Sequence, residues 1–188
     1  HSNLAAVLAK SGRMPEAETE FEAGRRLKPD DAVARHGWGN ALTQAGRPGE
    51  AFAEFEASLK LQPDDPVTHY DYGAALAATG RLAEALGQYS EAVRLRPDYA
   101  EAQNNLGNMF LALGHPAEAI PHYQVALGLM PNQAGICNNL GLALARAGRM
   151  QEAAAQFEAA VRFDPNNQEA RTNLARAHSV LRGETPKN

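Results

Sequence analysis

One cysteine, Cys137, stands alone in 188 residues, so no disulfide can form within the chain. That count is compatible with a reducing, cytoplasmic compartment. No apolar run approaches the ~20 residues needed to cross a bilayer, which leaves out direct membrane insertion of this segment. Lys and Arg number 18 against 22 Asp and Glu, for a net charge of -4. The two signs are interspersed, and no basic stripe of the kind that tracks phosphates is present, so nucleic acid is not an expected partner. No glycine-rich phosphate loop follows a strand pattern, and no nucleophile elbow occurs. The six histidines are His1, His36, His69, His115, His122 and His178, none in the i, i+4 pairing with an acid that helical zinc sites use. No catalytic residue, cofactor or metal is therefore expected.

What the chain does hold is a period. Pro29, Pro63, Pro97, Pro131 and Pro165 stand 34 residues apart, and Gly12, Gly46, Gly80, Gly114 and Gly148 keep the same interval. Only 11 prolines occur in all, so five in phase point to an internal repeat. Glu16, Glu50, Glu84, Glu118 and Glu152 form another column, and Ala17, Ala51, Ala85, Ala119 and Ala153 follow them. An aromatic residue comes four positions later, at Phe21, Phe55, Tyr89, Tyr123 and Phe157. A large residue precedes a small one at Trp38-Gly39, Tyr72-Gly73, Leu106-Gly107 and Leu140-Gly141, with Leu4-Ala5 and Leu174-Ala175 at the ends.

Two amphipathic helices and a short turn fit in 34 residues. The glycine column sits where the first helix, helix A, must stop, because glycine accepts the left-handed conformation that closes a helix. Pro48 and Pro116 fall in the first turn of helix B, where proline loses no helical bond. The glutamate column lies in that same turn, where its charge suits the helix dipole. The main proline column ends helix B. The Asp or Asn after it (Asp30, Asp64, Asp98, Asn132, Asn166) is placed to cap the next helix A. The small column lets two helices approach closely, and the paired aromatic fills the space beside it. Pro121, inside a helix B, removes a backbone donor and predicts a modest kink.

This pattern resembles the tetratricopeptide repeat over essentially the whole chain, although His, Arg, Gln or Cys stands where a tryptophan is often seen early in helix A. The resemblance implies an all-α, right-handed superhelical solenoid of antiparallel helix pairs over 1–182. Its repeats run 1–31 (partial), 32–65, 66–99, 100–133 and 134–167, with a capping helix at 168–182 and a flexible tail at 183–188. The start, His1-Ser2-Asn3-Leu4-Ala5, matches Cys137-Asn138-Asn139-Leu140-Gly141 in register. The expectation is that the chain begins inside a longer protein and ends naturally near Asn188. Arg171, Arg176 and His178 make the last helix more polar than its counterparts, as a terminal helix with one face in water should be. Cys137 shares its column with Arg35, His69, Gln103 and Arg171 and reads as a partly buried helix position without redox function.

In the family it resembles, helix A lines a concave groove that binds an extended segment of a partner. By 3.6-residue geometry one stripe of helix A gathers Asn3, His36, Asn40, Tyr70, Asp71, Asn104, Asn105, Asn108, Asn138, Asn139 and Asn173. Eight of these are asparagines, mediocre helix formers whose amides offer both donors and an acceptor, as a peptide backbone does. The column Asn3, Asp71, Asn105, Asn139, Asn173, interrupted by Gly37, resembles the asparagine ladder in the repeats of O-linked N-acetylglucosamine transferases, which bind a substrate's main chain. An apolar ligand side chain is expected near Tyr70. The basic residues of a chaperone-tail clamp are missing from the matching positions. The expected function is thus a protein or peptide-binding scaffold, not an enzyme. Two alternatives stay open: a substrate-recruiting module of a larger enzyme such as a glycosyltransferase, and end-to-end self-association.

Overall fold

In the computed structural model, which describes residues 1–184, the described residues form eleven α-helices. They divide into two compact units, His1–Leu95 and Arg96–Asn188. The first holds α1 (Ser2–Lys10), α2 (Met14–Leu27), α3 (Ala32–Gln44), α4 (Pro48–Leu61), α5 (Pro66–Ala78) and α6 (Leu82–Leu95). The second holds α7 (Ala100–Ala112), α8 (Pro116–Leu129), α9 (Ala134–Arg146), α10 (Met150–Phe163) and α11 (Gln168–Leu181). Odd-numbered helices are the A helices and even-numbered ones the B helices, up to the unpaired α11. Each A helix packs on the B helix that follows it, and A helices also touch along their own row: α1 with α3, α3 with α5, α7 with α9, α9 with α11. The tail expected at 183–188 lies, from residue 185 on, outside the described residues.

Every A helix ends the same way. Gly12, Gly46, Gly80, Gly114, Gly148 and Gly183 all have φ between +72° and +85°, a region closed to most other residues. At α3 the Gly46 N–H donates to the Thr43 carbonyl and the Arg47 N–H to that of Leu42 (3.1 and 2.9 Å), the paired bonds of a Schellman motif. Each B helix stops two residues ahead of the column proline. The residue between is pushed toward extended ψ, 81° to 91° at Gln62, Met130 and Asp164, by the ring that follows it. α8 is continuous from Pro116 to Leu129 with the exposed Pro121 inside it.

The N-caps differ from expectation by one residue. Asp31, Asp65 and Asn167 accept from backbone N–H groups at the start of α3, α5 and α11, while Tyr99 and Gln133 hold the same place without a side-chain cap bond. Asp30, Asp64, Asp98, Asn132 and Asn166 lie in the tight turn before the cap, and Asn132 there takes φ +67°, which Asn tolerates. Despite burial, bonds from the Thr68 hydroxyl and the Val67 and Thr68 N–H groups hold the Asp65 carboxyl below its ordinary range. A depressed folded-state value means stability that is present above the ordinary carboxylate range and lost as pH falls through it. Replacing Asp65 with Ala is expected to cost about 1 kcal/mol in urea denaturation at pH 7. The gap between variant and parent should close as the buffer is taken below that range.

The glutamate column has a partner as well as a dipole. Arg13, Arg47, Arg81 and Arg149, each next to its column glycine, donate two bonds to Glu16, Glu50, Glu84 and Glu152 three residues on. These pairs are solvent-exposed, which places them in the class of surface ion pairs worth little.

Between helices A and B the glycine and aromatic columns meet face to face. A Cβ built on Gly39, Gly73, Gly107 or Gly141 would fall 2.8, 3.1, 2.8 or 2.5 Å from the ring of Phe55, Tyr89, Tyr123 or Phe157. All four rings are buried. In the first unit the core continues as stacked rings, Phe21 on Trp38 at 4.8 Å and Phe55 on Tyr72 at 5.6 Å. In the second, Leu106 and Leu140 hold the places of Trp38 and Tyr72.

Candidate functional site

A second set of bonds fixes α3, α5 and α7 to their surroundings. Arg35 donates to Glu54 on α4 (3.1 Å) and to the Pro29 carbonyl (3.2 Å). His69 stands in the same register and reaches Gln88 Oε1 through Nδ1 (2.7 Å) and the Pro63 carbonyl through Nε2 (2.9 Å). Gln103 donates to the Pro97 carbonyl (2.9 Å) and lies 2.8 Å from His122 Nδ1. Three different side chains thus tie the column proline's carbonyl to the paired B helix. Cys137 breaks the series: it packs against Ala160 and Ala170, and burial pushes its thiol above the ordinary range.

The stripe on the A helices is polar in both units, but its members are bonded to each other. In the first unit Asn3 is exposed on α1. On α3 and α5, His36 Nε2 lies 2.7 Å from Asp71 Oδ2, and Asn40 Nδ2 donates to that same oxygen at 2.7 Å. The His36 and Asp71 side chains keep 20% and 24% of their surface in water, so this cluster is fixed yet reachable. Tyr70 is half-buried beside it, its ring 5.7 Å from that of Tyr89. His36 and His69 turn to different partners. Among the described residues no group of three or more His, Cys, Asp or Glu side chains could hold a metal ion.

In the second unit, Asn104 donates to Asn105 Oδ1 (3.2 Å), while its own Oδ1 is buried without a donor. Asn108 Oδ1 accepts both the Tyr123 hydroxyl (2.7 Å) and Asn139 Nδ2 (3.1 Å). Asn138 and Asn173 depart from the expected exposure. They are only 3% and 9% exposed, Asn173 donates to Asn138 at 3.0 Å, and Asn138 donates to Glu169 at 3.1 Å. The small residues Ala170 and Ala177 on α11 are themselves buried, and the close approach they allow encloses these amides between two A helices. Asn138 and Asn173 act as staples between α9 and α11 instead of lining an open surface.

Tetratricopeptide repeat models match residues 2–66, 100–133 and 134–167, and a TPR repeat model matches 73–114. The chain belongs to the tetratricopeptide repeat family. Its all-α solenoid fold is shared with solved structures of low identity. YrrB, described as a TPR protein with an unusual peptide-binding site, gives a TM-score of 0.80 at 23% identity, over 86% of this chain and 84% of that one. PilF of Pseudomonas aeruginosa gives 0.79 at 20%, over 96% and 82%. MamA of Desulfovibrio magneticus RS-1 gives 0.77 at 22%, over 81% and 86%. No curated protein matches the sequence. No helix among the described residues is long and apolar enough to cross a membrane.

Proposed function

We propose that this tetratricopeptide repeat chain is a non-catalytic scaffold whose A-helix faces bind an extended segment of a partner protein. The observation that carries the reading is the polar row itself. On the first unit it comprises His36, Asn40, Tyr70 and Asp71, and on the second Asn104, Asn105, Asn108 and Asn139. These groups are half-buried, and all but Tyr70, whose ring packs by that of Tyr89, are bonded to one another. Ordering them for a ligand costs little further entropy, which is where pre-organised sites gain affinity. Amide and carboxylate groups together offer a peptide main chain both donors and acceptors. The buried, donorless Asn104 oxygen is a place where an entering N–H would relieve an unmet acceptor. The peptide-binding site named for YrrB supports the same class of ligand.

The test is an array of immobilised peptides probed with the full chain and with a Tyr70→Ala, Asn105→Ala double variant. Peptides selected by the parent should be retained about tenfold less well by the variant, since a few central residues carry most of a binding energy. Equal retention by both proteins, each shown to be helical, would move the site off the A-helix faces.

A further inference from the structure

A groove of about 280 Å³ opens in the second unit between α9, α10 and α11. Leu142, Met150, Phe157 and Val180 line it, with Arg146 and Arg176 among the same walls. The chain's own repetition shows what is particular there: Leu142 stands in a column that otherwise holds Ala6, Asn40, Ala74, Asn108 and Arg176. One repeat earlier, 34 residues back, the matching places hold Asn108 for Leu142 and Tyr123 for Phe157. In that repeat the Tyr123 hydroxyl and the Asn139 amide converge on Asn108 Oδ1 and tie the space with polar bonds. In the later repeat neither residue can make that bond: Leu accepts nothing and Phe donates nothing. The earlier repeats, with Asn40 and Phe55 or Ala74 and Tyr89, lack the pair as well, but none of them places a large apolar residue at the Leu142 position. Asn173, in register with Asn139, donates instead to Asn138. No polar knot ties the space, and Leu142 with Met150 gives it an apolar floor.

The chain has more acids than bases, and Arg13, Arg35, Arg47, Arg81, Arg94 and Arg149 each pair with a carboxylate. Among the described residues Arg26, Arg96, Arg146, Arg162, Arg171 and Arg176 have no carboxylate partner, and of these six Arg146 and Arg176 line the groove. Arg146 is steadied by a bond from Nη1 to the Leu111 carbonyl (3.1 Å), which leaves the rest of its fork to a ligand. Two guanidinium groups on different helices beside an apolar floor complement a ligand that is both acidic and apolar.

We propose that this groove takes an internal segment of a partner polypeptide, seating one Leu- or Phe-sized side chain on the floor while a neighbouring Asp or Glu carboxylate meets Arg146 and Arg176. The proposal rests on the peptide-binding reading and names the sequence chemistry one part of it selects. The probe is a fluorescein-labelled peptide, acetylated and amidated at its ends, with a Glu-Leu-Glu core in a Gly-Ser context. Its Gln-Leu-Gln and Glu-Ala-Glu counterparts are titrated beside it against the full chain by fluorescence anisotropy. The Glu-Leu-Glu peptide should bind, with affinity falling as salt is raised, and each counterpart should bind at least about tenfold more weakly.

A Leu142→Asn, Phe157→Tyr double variant rebuilds the neighbouring repeat's knot within this groove. It should keep the parent's circular dichroism and lose the peptide. An Arg146→Gln, Arg176→Gln variant should lose about tenfold in affinity along with the salt dependence. Equal binding of the three peptides, unchanged binding by the folded knot variant, or absence of Glu-Leu-Glu binding would each overturn the proposal. So would tighter binding of an unblocked peptide ending in Leu, which would make a terminal carboxylate the ligand. A knot variant that retains the peptide array through Tyr70 and Asn105 while the parent ignores Glu-Leu-Glu would sink the groove alone and leave the scaffold reading standing.

Discussion

Replacing Tyr123 with Ala is expected to be among the most damaging single changes in the second unit, costing about 3–5 kcal/mol. The ring is fully buried and stands so close to α7 that a Cβ on Gly107 would come within 2.8 Å of it. Truncation opens a cavity between α7 and α8 and deletes the donor to Asn108. Tyr123→Phe separates the two effects. It keeps the ring and removes the hydroxyl, and Asn108 Oδ1 keeps its bond from Asn139, so the cost should be about 1 kcal/mol. Urea denaturation midpoints followed by circular dichroism give both numbers. A Tyr123→Ala midpoint within experimental error of the parent would mean that the aromatic column does not hold the helix pairs together.

Alkaline pH provides a further check on the same residue. Burial holds the Tyr123 phenol well above its ordinary value of 10.0. Burial, followed by the bond to Glu56, pushes Tyr72 up to about 12. A raised folded-state value means that the unfolded chain gives up its protons first. The stabilisation is complete below pH 10.0 and is lost as pH rises through the folded values. Above pH 10.0 the Tyr123→Phe variant should therefore lose stability with pH less steeply than the parent.

Those consequences are largely legible in the sequence. The column glycines stand at positive φ and the aromatic column faces the small column because both follow from backbone and steric rules that act within one repeat. The caps stand one residue beyond the expected position for an equally local reason. In three turns the column proline is followed by two adjacent capping residues, and only the geometry of the turn decides that Asp31, Asp65 and Asn167, not Asp30, Asp64 and Asn166, reach the helix N–H groups. The state of the asparagines was not legible at all. Their partners lie 31 residues away for Asn139 and Asn108, and 35 for Asn173 and Asn138. Such separations are set by how one helix pair stacks on the next. A stripe drawn on a single helix shows which amides share a face. It cannot show that two of them are closed between neighbouring helices.

The second large effect is expected at Gly141, where adding atoms should hurt more than helix propensity helps. A Cβ there would lie 2.5, 2.7 and 3.0 Å from three carbons of the Phe157 ring. Phe157 is 2% exposed, so the ring has little room to yield. Exchanging a helical glycine for Ala ordinarily gains about 1 kcal/mol, whereas inserting atoms into a filled core costs about 1–3 kcal/mol. Gly141→Ala should come out destabilising on balance, and Gly141→Val, with two further carbons and a stiff χ1, should lose at least about 3 kcal/mol. Gly87 supplies the contrast: it lies exposed inside α6, with nothing within 4 Å of its Cβ position. Gly87→Ala should raise the urea midpoint by the equivalent of about 0.5–1 kcal/mol. Pairing Gly141→Ala with Phe157→Leu should recover part of the loss, because the smaller side chain withdraws from the contact. The same sign for Gly141→Ala and Gly87→Ala would show that helices α9 and α10 do not approach as closely as the glycine requires.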